Sequence, residues 1–233
     1  MELKTYKHIF FDLDHTLWDF EKNSKETLEE MYADFHLNTW GIKSFDDFYT
    51  NYKNINLEYW RLYRENKIQK HDLRFGRFYK TLKAFGVEEE SLTNKLADRY
   101  VESCPRKQHL FPFALEILNY LKGKYKLHVI TNGFKESQYT KLTSSGIRDY
   151  FEHIITSEDV QSKKPDRRIF EYSMQRCAAI NSDCIMIGDN LIADILGAKS
   201  VLIDQVYFNP FKTAHKEQIT FEVGCLSEIK RFL

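Results

Sequence analysis

Two hydrophobic rhythms divide the chain. Short apolar runs at 9–11, 127–130, 154–155, 185–187 and 201–203 alternate with stretches of helical spacing near 113–121, 136–144, 168–177 and 191–198. Strands buried on both faces have this brief, continuous apolar character, and their alternation with helices predicts a parallel α/β sheet. Between the first two runs the rhythm changes. Phe45, Phe48, Tyr49, Tyr52, Ile55 and Tyr59 recur at spacings of three and four, behind a capping pair formed by Ser44 and Asp47. Further helices are predicted at about 72–85, stopping at Gly86, and at about 89–103, ending before Pro105. Residues 32–85 carry 14 aromatic side chains in 54 positions, against 21 in the other 179, so the segment reads as a separate subdomain. An aromatic stripe at helical spacing is core packing, and no cofactor role is assigned to it. The pattern predicts an α/β core, a central parallel sheet flanked by helices, formed by 1–16 and 109–233, with an all-helical insertion at 17–108.

Composition narrows the function by exclusion. The 233 residues are 42% hydrophobic and 29% charged, as in ordinary globular proteins, and formal net charge is zero. That balance lacks the basic excess of a general binder of nucleic-acid polymers or anionic membranes. No stretch fits a secretory leader or a membrane span, and the expected location is the cytoplasm. Cys104, Cys177, Cys184 and Cys225 contain no C-x-x-C pair and are expected to be reduced. No two glycines are separated by a single residue, which removes G-x-G-x-x-G and G-x-S-x-G; neither a P-loop nor H-E-x-x-H occurs.

Chemistry gathers in the loops beyond the apolar runs, where open α/β sheets bind ligands. Asp12-Leu13-Asp14-His15-Thr16 follows the first run, Thr131-Asn132-Gly133 the second, Lys163-Lys164-Pro165-Asp166 the third, and Gly188-Asp189-Asn190 the fourth, with Asp194 five residues past Asp189. Each motif has a plain reading by itself. An EF-hand start is excluded because Leu17 stands where that loop needs glycine. Asp12 or Asp189 alone would pass for a helix N-cap, Thr131 for a strand end, and Lys163 with Lys164 for a solvated pair. Their common position after successive apolar runs favours one site.

In these four motifs the sequence resembles the haloacid dehalogenase-like hydrolases, in the branch whose helical cap is inserted after the first motif. D-x-D-x-T stands at Asp12, Asp14 and Thr16, T-N at Thr131 and Asn132, K-P at Lys164 and Pro165, and G-D-N-x-x-x-D from Gly188 to Asp194. Asp14 to Phe20 and Tyr207-Phe208-Asn209-Pro210 are similar to the noncanonical pyrimidine nucleotidases of that branch. Gln161 and Leu202 stand where the family commonly has glycine, and Arg167 where it commonly has proline.

The resemblance implies a Rossmann-like core, a Mg²⁺-dependent phosphomonoesterase and specific roles. Asp12 is the implied nucleophile, forming an aspartyl-phosphate, and Asp14 the implied acid and base. Thr131, Asn132 and Lys164 are assigned to the phosphoryl group, with Lys163 the second candidate for the ammonium. Mg²⁺ is assigned to the Asp12 carboxylate, the Asp14 backbone carbonyl and Asp189, with Asp194 supporting from outside. The cap is expected to close over the site and choose a small phosphomonoester; Trp18 and Phe20 would stack on a base or pack in the hinge. A monomer and a homodimer are both compatible. Three other readings stand beside the pyrimidine 5′-nucleotidase: a sugar-phosphate or broad-specificity phosphatase, a phosphomutase and a catalytically silent binding module. A haloacid dehalogenase is disfavoured by the second carboxylate, Asp14.

Overall fold

The computed structural model describes residues 5–233, which form two compact units, 5–20 with 108–233 and Glu21–Lys107. In the first, β1 (His8–Phe11) is buried at all four positions. The chain then passes into the helical unit through α1 (Phe20–Asp34), followed by α2 (Phe45–Arg64), α3 (Lys70–Lys83) and α4 (Glu90–Ser103). Ser44 caps α2 as its spacing implies, accepting a hydrogen bond from the Asp47 N–H at 3.2 Å. The aromatic stripe is core: Tyr52, Phe78 and Tyr100 meet with ring centroids 5.0–5.6 Å apart. Arg77 is buried among them, its guanidinium over the Tyr100 ring at 4.6 Å and donating to Asn56 Oδ1 at 2.9 Å.

The sequence pattern does not reveal α1, for a visible reason. Its inward positions are Asn23, Ser24 and Thr27 beside Leu28 and Met31, so three of the five are polar and no apolar period shows. Hydrogen bonds satisfy these groups, as in the local one from Thr27 Oγ1 to the Asn23 carbonyl at 2.8 Å and the one from Tyr100 of α4 to Ser24 at 2.8 Å.

From Gln108 the chain completes the sheet unit. α5 (Ala114–Leu121), β2 (Lys126–Thr131), α6 (Lys135–Ser144), β3 (His153–Thr156), α7 (Ser157–Val160), α8 (Arg167–Arg176) and β4 (Cys184–Gly188) follow in turn. A π-helical stretch, Leu191–Leu196, runs into α9 (Gly197–Ser200), and β5 (Asp204–Phe208) and β6 (Phe221–Val223) finish the sheet. All six strands pair in parallel, in the order β3-β2-β1-β4-β5-β6. Four of the five apolar runs lie in strands. The run at 201–203 instead precedes β5, because Leu202 takes a left-handed backbone (φ 61°) that breaks the extended chain, although Val201 and Ile203 are buried. The helix expected at 191–198 is instead the π stretch and one turn of α9.

The order reverses at β1. The chain builds outward through β2 and β3 on one side, then crosses to β4 on the other, so the carboxyl ends of β1 and β4 flank a topological switch point. In register, Phe11 pairs with both Val129 and Ile187, which sets Asp12 level with Ile130 and Gly188.

Candidate active site

Asp12 continues β1 past its last paired residue, its N–H bonded to the Ile187 carbonyl at 2.9 Å. Its side chain meets Lys164, whose Nζ lies 2.5 Å from Asp12 Oδ1, 2.6 Å from Asp194 Oδ1 and 2.7 Å from the Ile130 carbonyl. Lys164 is 2% exposed, so three oxygen partners replace the water its ammonium has lost. Lys164, not Lys163, therefore occupies the ammonium position beside Asp12. Asn132 fixes the loop that delivers it, donating from Nδ2 to the Lys164 carbonyl at 2.9 Å and accepting the Lys164 N–H at 2.7 Å.

Asp189 and Asp194 arrive from the end of β4. Thr16 donates to Asp189 at 3.2 Å, and Asp194 accepts the Asn190 N–H at 2.9 Å. Asn190 caps the stretch that follows, accepting from Ile192 and Ala193. Gly188 is required at this corner, because a Cβ there would collide with the buried Asp194 carboxylate.

The electrostatics follow from crowding. Burial pushes the Asp12 carboxyl up to about 7 against the pull of the Lys164 ammonium, with Asp194 and Asp14 adding to the rise. Asp189 is raised for the same reasons, burial first and then Asp194 and Asp12. Burial alone would lower Lys164, but the carboxylates of Asp12 and Asp194 outweigh it and hold the ammonium above its ordinary value. Asp12, Asp189 and Asp194 each bring a carboxylate oxygen within 4.8 Å of the others, and Asp12 and Asp194 share the Lys164 ammonium. An excess of hard, anionic oxygen donors in a buried corner fits a divalent cation of the Mg²⁺ type.

Asp14 faces different partners. Lys141 Nζ lies 2.5 Å from its Oδ1, and Gln138 Nε2 donates to its Oδ2 at 3.0 Å, both side chains coming from α6. Thr131 sits one bond further, donating to Gln138 Oε1 at 3.1 Å and accepting the Gly133 N–H at 3.0 Å. Trp18 is fully buried and its ring lies 4.4 Å from the Lys141 ammonium, so it packs rather than offering a face to a base. Gln138 and Lys141 are absent from the sequence reading. The available signal was two polar residues three apart on the helix after Thr131-Asn132-Gly133, which solvated helices share.

The chain matches the haloacid dehalogenase-like hydrolase family over residues 6–201. It is 31% identical to the pyrimidine 5′-nucleotidase YjjG of Escherichia coli (strain K12), over 97% of this chain and 96% of that one. Identity to the pyrimidine 5′-nucleotidase PynA of Streptococcus pneumoniae (strain ATCC BAA-255 / R6) is 32%, over 94% and 91% of the two chains. The crystal structure of the putative HAD-hydrolase YfnB from Bacillus subtilis, bound to magnesium, superposes with a TM-score of 0.88 at 29% identity, covering 98% of each chain. With the family match spanning most of its length and its acidic corner at the switch point of a parallel sheet, this chain belongs to the haloacid dehalogenase-like hydrolases.

Proposed function

We propose that the protein is a Mg²⁺-dependent phosphoric monoester hydrolase that works through an aspartyl-phosphate on Asp12, with pyrimidine nucleoside 5′-monophosphates, modified ones included, as its substrates. The observation that carries the chemistry is the convergence of Asp12, Lys164, Asp189 and Asp194 at one strand-end corner, with a second carboxylate, Asp14, two residues from the first. Its likeness to YjjG and PynA over nearly the whole chain supports the nucleotide reading.

An Asp12 oxygen attacks phosphorus, the bond from phosphorus to the leaving oxygen breaks, and Asp14 gives that oxygen its proton. Asp14, now a carboxylate, takes a proton from water as the water oxygen bonds to phosphorus and the bond to Asp12 breaks. Inorganic phosphate leaves, and both aspartates return to their starting forms. Lys164 lies against the attacking carboxylate and stabilises the negative charge on the transferring group. Thr131 presents its hydroxyl to a phosphoryl oxygen, and Asn132 acts by fixing the backbone of Lys164. Asp12, Asp189 and the Asp14 backbone carbonyl would hold Mg²⁺, with Asp194 supporting, and the bound ion would supply the positive charge that lets a phosphate dianion approach these carboxylates.

The test is phosphate release from a panel of phosphomonoesters with and without Mg²⁺. EDTA should abolish turnover and Mg²⁺ restore it, with kcat/KM higher for pyrimidine nucleotides than for hexose phosphates. Full activity in metal-free buffer would overturn the Mg²⁺ assignment, and equal activity on hexose phosphates would remove the nucleotide claim alone.

A further inference from the structure

The network around Asp14 has hydrogen-bond directions set by chemistry. The Lys141 ammonium can only donate to Asp14, and Nε2 of Gln138 faces Asp14 Oδ2 at 3.0 Å, so Gln138 turns its NH₂ toward Asp14. Its carbonyl oxygen then faces Thr131, whose hydroxyl must be the donor, at 3.1 Å. The Gly133 N–H approaches the same hydroxyl oxygen and takes up its acceptor side, at 3.0 Å. A threonine hydroxyl has one proton. Thr131 therefore cannot donate to Gln138 and to a phosphoryl oxygen together.

The rest of the network is rigid. Gln138 is 1% exposed and Lys141 6%, and α6 carries them three residues apart, on one helical face. The Lys141 ammonium is 2.5 Å from Asp14 and lies over the rings of Trp18 at 4.4 Å and Phe20 at 5.7 Å. Ring faces and a carboxylate together compensate for its lost hydration. No Cβ fits at Gly133, where it would overlap the Gln138 amide, so the turn after β2 is shaped around this glutamine.

We propose that Gln138 and Lys141 are positioning residues for Asp14, and that Gln138 transmits phosphate binding from Thr131 to Asp14. Before substrate arrives, Asp14 is held from both sides. When a phosphoryl oxygen takes the Thr131 proton, Gln138 loses the donor that anchors its carbonyl, and Asp14 is left with Lys141 as its fixed partner. Asp14 can then turn to the leaving oxygen only once phosphate is seated. The inference rests on the phosphatase reading for its kinetics, while the pairing of Lys141 with Asp14 can be measured without it.

The test is a double-mutant cycle. Lys141→Met and Gln138→Leu are made singly and in the Asp14→Asn background, and assayed on a pyrimidine nucleoside monophosphate and on p-nitrophenyl phosphate. In the wild-type background each should lower kcat on the nucleotide by roughly tenfold, a part of the usual acid–base contribution, with KM changed less than kcat. Compared by kcat/KM, which reads the first step and not the shared hydrolysis of the phosphoenzyme, the aryl ester, whose leaving group needs little protonation, should lose less. Lys141→Arg should recover part of the loss. With Asp14 already replaced, neither change should lower kcat further. Equal factors in both backgrounds, or equal losses on both esters, would overturn the proposal and leave a merely structural pair. Thermal unfolding gives the second readout. Lys141→Met should lower Tm in the wild type but leave it unchanged or raise it in Asp14→Asn, where the buried ammonium has already lost its carboxylate. A wild type that releases no phosphate sinks the hydrolase reading, whereas absence of this stability coupling sinks the Lys141–Asp14 inference at any level of activity.

Discussion

Asp12 and Asp14 are the same functional group two residues apart, and the fold surrounds them with different partners. Asp12 shares Lys164 with Asp194 in a buried corner, whereas Asp14 is held by Lys141 and Gln138 from α6. Their replacement by asparagine should therefore have different consequences. Asp12→Asn removes the proposed nucleophile, so turnover and the proposed phosphoenzyme should both vanish. Asp14→Asn keeps the nucleophile and loses the proton donor, and turnover should fall by roughly 10²–10⁴-fold. With an aryl phosphate the first step partly recovers while the water is still not activated, so phosphate should accumulate on Asp12. Intact-protein mass spectrometry after rapid acid quench measures this directly: one added phosphoryl group in Asp14→Asn and none in Asp12→Asn. Phosphate on any other residue would refute the covalent scheme.

Connections between elements explain two departures from the family pattern. Gln161 ends α7 with φ 52°, and Leu202 stands between α9 and β5 with φ 61°. Both lie in the left-handed region, where a Cβ costs about 1–2 kcal/mol and glycine is free of the penalty. The expected glycines thus match a real backbone demand that this chain meets with larger residues. Leu202 is 75% exposed, so replacing it sacrifices little packing. Leu202→Gly should stabilise the protein by about 0.5–1 kcal/mol, the relieved penalty less the extra freedom glycine gains in the unfolded chain. Urea unfolding at neutral pH is the measurement; an unchanged or lowered midpoint would show that the leucine side chain contributes more than its exposure suggests.

Across the whole molecule, acid stability should depend on a histidine pair far along the sheet from Asp12. His8 opens β1, and its Nδ1 lies 3.1 Å from Nε2 of His128, whose ring is fully buried and stacks on His153 at 5.4 Å. Burial lowers the His128 pKa to about 3, with His8 and His153 adding to the fall. The folded value lies below the ordinary value of 6.5, so the unfolded state binds the proton more readily. The stability associated with neutral His128 is then present above pH 6.5 and is lost as pH falls toward 3. His128→Phe keeps a ring in place and removes the titration. It should cost stability at pH 7, where His8 loses its partner, and that cost should shrink as pH falls from 6.5 toward 4. A difference in unfolding free energy that stays constant across this range would exclude His128 as the acid-sensitive group.

The sequence alone determined which residues are candidates for the site and the order of most elements. Asp12, Thr131, Lys164 and Asp189 are legible because each follows an apolar run, and parallel strands deliver the residues after them to one edge. The helical insertion is legible through its aromatic period. The tertiary structure decided what local pattern cannot encode. It chose Lys164 over Lys163, since only the path of the loop pinned by Asn132 determines which ammonium enters the corner. It revealed α1, whose buried face is too polar to show a period, and β6, a three-residue strand defined by its pairing with β5. It also placed Gln138 and Lys141 against Asp14. Their positions 124 and 127 residues from Asp14 in the chain leave no local trace, because a contact between a helix face and a distant loop exists only once the sheet has brought β1 and β2 side by side.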